Sequence, residues 1–103
     1  MTTKPVILRQ AAVDDVDSTI TTYLTNSDQD TALRFVEALE ATYAHISAYP
    51  GSGSSRYAHE LSLPGLQSWP VTGFPYLVFA VERSDHIDIW RVLHMRRDIP
   101  AAL

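Results

Sequence analysis

Two apolar stripes at helical spacing, parted only by Asn26-Ser27-Asp28, constrain this chain more than any other feature. In the first stripe, Val13, Val16, Ile20, Tyr23 and Leu24 share one face of a helix that starts near Gln10. The opposite face is polar, with Ser18 and Thr22 on it and Thr19 and Thr21 at its margins. Asp14, Asp15 and Asp17 lie in the first turns, where carboxylates favour the positive end of the helix dipole. In the second stripe, Ala32, Phe35, Val36, Leu39, Tyr43 and Ile46 recur at the same period. Ser27 with Asp30 reads as a serine N-cap with an acid three residues on, and Pro50-Gly51 ends the helix. This second helix would hold roughly 20 residues and run ~30 Å. So short a connection makes the two helices antiparallel neighbours, and their apolar stripe must be buried on something else.

The rest of the chain supplies a sheet. Pro5-Val-Ile-Leu8 is a short β-branched run, and Pro5 places it at a strand start or an edge. After the second helix, Pro50-Gly-Ser-Gly-Ser-Ser55 reads as a flexible loop. Glu60–Leu63 and Leu66–Val71 alternate apolar and polar residues around a Pro64-Gly65 turn, and Pro70 suggests an edge or a bulge. Tyr76–Val81 is continuously apolar, as in a strand buried on both faces, and Ile87–Leu93 follows after a tight turn at Ser84-Asp85. The expected register sets residue 78 opposite 91 and residue 80 opposite 89. One face then carries Tyr76, Val78, Ala80, Ile87, Ile89, Arg91 and Leu93. The other carries Leu77, Phe79, Val81, Asp88, Trp90, Val92 and His94. The bulkier set around Leu77, Phe79, Trp90 and Val92 is expected beneath the helices, leaving the face with Tyr76 and Arg91 open. A one-residue slip would exchange the sets. The order β-α-α-β-β-β predicts a two-layer α+β domain, with an antiparallel helical hairpin on a small, mainly antiparallel twisted sheet.

Composition narrows the function classes. At 103 residues the chain is one domain, residues 1–103. Its 46% hydrophobic and 19% charged content excludes disorder. With no cysteine, thiolate metal sites, disulfides and cysteine nucleophiles are excluded. The four histidines (45, 59, 86, 94) have no metal-ligand spacing, so neither a metal nor a cofactor is expected. No apolar run reaches the ~20 residues of a membrane span, and the N-terminus has no signal-peptide core, so a cytoplasmic protein is expected. The net charge of −4 argues against general nucleic-acid binding. Seven acids and three bases fall in residues 1–50, while residues 51–103 carry five of each, all five bases being Arg. The hairpin acids Asp14, Asp15, Asp17, Asp28, Asp30, Glu37 and Glu40 read as a solvated face.

Chemistry concentrates at His94-Met-Arg-Arg-Asp98. Arg96 and Arg97 suit bidentate contact with a partner's carboxylates; the plainer reading is a charged strand end with Asp98 pairing an Arg. Arg91 among apolar neighbours needs either an internal acid, for which Glu60 and Glu82 are candidates, or an open face that meets a partner; the open face is favoured. Trp90 reads as core, whereas Trp69 beside Pro70 is a candidate exposed binding residue. Ser52, Ser54 and Ser55 lack the setting of a nucleophile and read as spacer.

These strings resemble the ParE branch of the ParE/RelE toxin superfamily. The residues that carry the likeness are Ile46-Ser-Ala-Tyr-Pro-Gly51, Leu63-Pro-Gly-Leu66 with Val71, Phe74-Pro-Tyr-Leu-Val-Phe79 and Arg91-Val-Leu-His-Met-Arg-Arg-Asp98, spread from Val6 to Asp98. The resemblance implies the toxin of a type II toxin–antitoxin system. It further implies neutralisation by a ParD-like antitoxin in a hetero-oligomeric complex, and inhibition of DNA gyrase by binding without catalysis. Partner-binding residues on this reading are Trp69, Tyr76, Arg91, His94, Arg96 and Arg97. The alternative is a RelE-type ribosome-dependent mRNA endonuclease using His94, Arg96 and Arg97. RelE-type members typically carry Arg where this chain has Tyr76, and often Tyr where Met95 follows His94, so the acid–base set is incomplete. A third reading is a diverged, non-toxic antitoxin-binding module. The chain ends at Leu103, without the longer C-terminal tail of some ParE members.

Overall fold

The computed structural model describes residues 3–103. The strands and helices follow in the order β1 (Val6–Leu8), α1 (Gln10–Asn26), α2 (Gln29–Ala48), α3 (Arg56–Leu61), β2 (Leu66–Pro70), β3 (Tyr76–Glu82), β4 (Ile87–His94) and α4 (Ile99–Ala102). The architecture is the expected α+β one, a helical hairpin on a four-stranded sheet of order β1-β4-β3-β2. β1 runs parallel to β4, and the other two pairings are antiparallel. Both proline-marked strands, β1 and β2, are edges.

The hairpin forms where the stripes predict it, with one shift at the break. Asp28, not Ser27, caps α2, its carboxylate accepting from the Thr31 N–H at 2.7 Å. That bond holds the Asp28 carboxyl below its usual range. Ser27 instead closes α1, its N–H donating to the Tyr23 carbonyl. The inner face of α1 is also rotated from the expected stripe: Ala12 and Thr19 are buried, and Leu24 stands 51% exposed. Thr19 can be buried because its hydroxyl donates to the Asp15 carbonyl one turn back.

The hairpin covers the sheet face opposite to the expected one. Phe35, Leu39 and Ile46 of α2 pack with Val78, Ala80, Ile87, Ile89 and Val92. Tyr23, Phe35, Phe74 and Tyr76 meet edge-on or tilted at centroid distances of 5.4–6.5 Å. Tyr76 is therefore packed beneath the helices rather than facing outward. The other face, with Leu66, Phe79, Val81 and Leu93, is not bare: Tyr57 and Ala58 of α3 and Ile99 and Ala102 of α4 close over it. The alternation read at Glu60–Leu63 as extended is the end of α3 and the turn after it.

A bulge explains why the expected register holds at one end only. Ala80 pairs with Ile89 as expected, but Phe79 pairs with Arg91 and Val78 with Val92. The extra residue is Trp90, and it moves Val92 and His94 onto the helix side with Ile87 and Ile89. The loop at residues 50–55, expected to be flexible, is tied down. The Gln67 side chain bonds both the Gly53 N–H (3.0 Å) and the Pro50 carbonyl (2.8 Å), and Ser54 bridges to Ser68. A Cβ on Gly53 would lie 2.7 Å from the Trp69 ring, so only glycine fits there.

Candidate protein-binding surface

β1 spans three residues and β4 eight, so β4 would present a bare edge beyond Ile89. The chain leaves β1 at Arg9, whose N–H donates to the Ile89 carbonyl, and turns at once into α1. That path lays Asp15 alongside the exposed half of β4. Its Oδ2 accepts from the Val92 N–H at 3.0 Å, standing in for a missing strand partner. The same carboxylate takes a two-pronged bond from Arg91, Nε to Oδ2 at 2.7 Å and Nη2 to Oδ1 at 2.8 Å. Arg91 Nη1 also donates to the Ala102 carbonyl at 2.7 Å, which ties α4 to the sheet. The bond to Asp15 raises the Arg91 guanidinium above its ordinary value.

The expected open face around Arg91 is thus corrected: the side chain is only 20% exposed and its acid is Asp15, not Glu60 or Glu82. Asp15 in turn is no part of a solvated face, its side chain being 10% exposed. No sequence signal joins residues 76 positions apart; only the chain path past the end of β1 does so.

Above this pair lies a cleft of about 180 Å³ between α1 and the end of β4, lined among others by Ser18, Thr22, Tyr76, His94 and Arg97. Tyr76 and His94 are cross-strand partners with rings edge-to-face at 5.1 Å. The Arg96 N–H donates to His94 Nδ1 at 3.0 Å, and Arg97 N–H donates to the His94 carbonyl. The first bond requires an unprotonated Nδ1, which places the ring proton on Nε2. His94 therefore presents a donor at Nε2 and caps its own turn.

Arg96 and Arg97 differ from every other cation among the described residues. Lys4, Arg9, Arg34, Arg56, Arg83 and Arg91 each have a carboxylate within ion-pair distance. Arg96 and Arg97 are exposed and have none, and the expected pairing with Asp98 is not formed.

The remaining candidates lie elsewhere. Trp69 is only 5% exposed, which corrects its expected exposure: its Nε1 donates to Ser52 Oγ and its ring lies under Gly53. One edge of the ring still lines a groove of about 440 Å³ between α2 and β2, with Ala38, Ala41, Thr42 and His45 opposite. Trp90 is half-buried, with the Arg9 guanidinium 4.5 Å above its ring and its Nε1 donating to Asp88. Asp88 is buried, which alone would raise its carboxyl. Bonds from Arg9, Arg83 and Trp90 outweigh that and hold it low. Among the described residues no group of three His, Asp or Glu side chains comes together as a metal site needs. No helix among them is long and apolar enough to cross a membrane.

A family model described as the ParE toxin of the type II toxin–antitoxin system parDE matches residues 6–99. The chain belongs to the ParE toxin family. Among solved structures, the chromosomal ParDE toxin–antitoxin system from P. aeruginosa resembles this ParE-family chain with a TM-score of 0.73. The match covers 89% of this chain and 96% of that one at 17% identity, so it speaks for the fold. No curated protein sequence matches the ParE-family chain.

Proposed function

We propose that this ParE-family toxin acts by binding, with DNA gyrase as its target, and that a ParD-like antitoxin neutralises it in a hetero-oligomeric complex in the cytoplasm. The observation that carries this reading is the adjacent pair Arg96 and Arg97, the two cations left without an internal acid, beside a His94 whose Nδ1 is already engaged. Exposed guanidiniums without partners recognise carboxylates on another protein, and Arg does so with two parallel bonds. Tyr76 and Arg91 act from below, the first as a wall of the cleft and the second by fixing its floor. Trp69 serves as one wall of the α2–β2 groove, where a segment of the antitoxin is accommodated. Gyrase as the target follows from the family resemblance.

Cutting RNA is the less favoured reading on this geometry. A general base must offer a free lone pair to the attacking 2′-OH. In His94 one ring nitrogen accepts from a backbone amide and the other carries the proton.

A supercoiling assay with folded toxin and purified gyrase tests the proposal. Inhibition at micromolar toxin, relieved by the antitoxin and weakened by Arg96→Ala with Arg97→Ala, is the expected result. Full supercoiling activity at that concentration would sink it. Primer extension on translated mRNA addresses the endonuclease, and growth without arrest on expression alone would mark a non-toxic antitoxin-binding module.

A further inference from the structure

Each backbone N–H of the turn Met95-Arg96-Arg97 has an acceptor, and the acceptors are unlike. Met95 N–H donates to the Pro75 carbonyl at 2.9 Å, and Arg97 N–H to the His94 carbonyl at 3.0 Å. Arg96 N–H alone is held by a side chain, His94 Nδ1 at 3.0 Å. A carbonyl accepts at any pH, whereas an imidazole nitrogen accepts only while it is unprotonated. Beyond the turn, Ile99 is buried and Arg91 holds the Ala102 carbonyl, so the far end is pinned as well. The one conditional bond in the segment is therefore the bond at Arg96.

The surroundings of the His94 ring do not favour a second proton. From β3, Tyr76 meets the ring edge-to-face at 5.1 Å. From α1, Ser18 and Thr22 bring neutral hydroxyls to the cleft. Asp15, the acid that lines it, is committed to Arg91 and the Val92 N–H. The turn itself contributes two cations, Arg96 and Arg97, and Asp98 forms no ion pair with either. A proton on Nδ1 would set donor against donor at the Arg96 N–H and add a third positive charge beside two unpaired ones.

We propose that His94 is the positioning residue of this binding turn. With Nδ1 bare it fixes the backbone at Arg96, so that the adjacent guanidiniums are presented together; with Nδ1 protonated it releases that backbone. Target binding through Arg96 and Arg97 is thereby tied to pH and weakens as pH falls. This deepens, and rests on, the reading that the toxin meets gyrase through these arginines. The sign separates positioning from steering. An imidazolium added to a basic patch would draw an acidic partner in more strongly at low pH, and loss of the turn does the opposite.

Binding to immobilised gyrase at about pH 8 and about pH 5.5 tests it, with two variants that divide the ring between them. His94→Asn places an amide oxygen where Nδ1 stands and does not titrate in this range; His94→Gln reaches instead to the place of Nε2. Melting temperatures establish that both variants are folded. The wild type is expected to lose about fivefold in affinity at the lower pH, while His94→Asn changes by less than about twofold. His94→Gln is expected to bind at least about fivefold more weakly than His94→Asn at the higher pH. Ring-nitrogen NMR of the free toxin should find the His94 proton on Nε2 at that pH. A proton on Nδ1 there, a His94→Asn variant that follows the wild-type profile, a His94→Gln variant equal to it, or tighter wild-type binding at low pH each overturns the proposal. Such results leave the gyrase reading standing as long as the wild type binds. No wild-type binding at either pH overturns the gyrase reading, and the proposal falls with it.

Discussion

Asp15 does three jobs with two oxygens: it caps the Val92 amide, neutralises Arg91, and through Arg91 holds α4 by its last carbonyl. Asp15→Ala leaves a largely buried guanidinium without its carboxylate and a strand amide without its acceptor. The expected loss is about 3 kcal/mol in urea unfolding, with Asp15→Asn intermediate because the amide oxygen can still accept from Val92. Tyr43 is the opposite case. Its hydroxyl is buried with no hydrogen-bond partner, and burial pushes its phenol up to about 12 from an ordinary 10.0. A raised folded value means the unfolded chain ionises first. Stability is therefore full below pH 10 and falls as the pH climbs from 10 towards 12. Tyr43→Phe removes that alkaline loss and an unsatisfied group, so the variant is more stable at neutral pH by up to about 1 kcal/mol. Thermal melts of both proteins across this pH range check the sign.

At the scale of elements, the legible features were those written by local periodicity. The helical hairpin, its two stops and the order of strands follow from spacing and from Pro, Gly and Asp, which act within a few residues. What was not legible depends on contacts between distant segments. The Trp90 bulge reverses the orientation of everything after it, and nothing in Ile87–Leu93 signals one extra residue. The covered outer face depends on two helices of six and four residues, too short to leave a periodic trace. The loop of glycines and serines looks mobile by composition, yet Gln67 and Trp69 hold it from a strand that follows it. That clamp makes Gly53→Ala a sharp probe. The added methyl meets a ring that is itself packed against α2, and overpacking of this kind costs about 1–3 kcal/mol. Chemical denaturation checks the loss, and Gly51→Ala is the control, because nothing lies within 4 Å of a Cβ there.

Exposed charge is unevenly divided between the hairpin and the turn after β4. The hairpin exposes Asp14, Asp17, Glu37 and Glu40, none with an ion-pair partner among the described residues, whereas the end of β4 exposes Arg96 and Arg97. The cluster His94–Asp98 was legible as chemistry from its density alone. Its lack of internal partners was not, because that required knowing where every acid lands. Rim charges of this kind act mainly on association, since they steer encounter before any surface is buried. Arg96→Ala with Arg97→Ala is therefore expected to leave the melting temperature unchanged, because neither side chain is paired or buried. The rate of association with the proposed gyrase target should fall about tenfold, with dissociation altered much less. The gap should narrow as salt rises, because exposed charges are screened over ~8 Å at 0.15 M ionic strength and over less above it. Surface-binding kinetics at two salt concentrations separate this from a role in chemistry. A loss confined to dissociation and indifferent to salt would place the two arginines inside a buried contact instead, and a variant with unchanged kinetics would remove them from the binding surface.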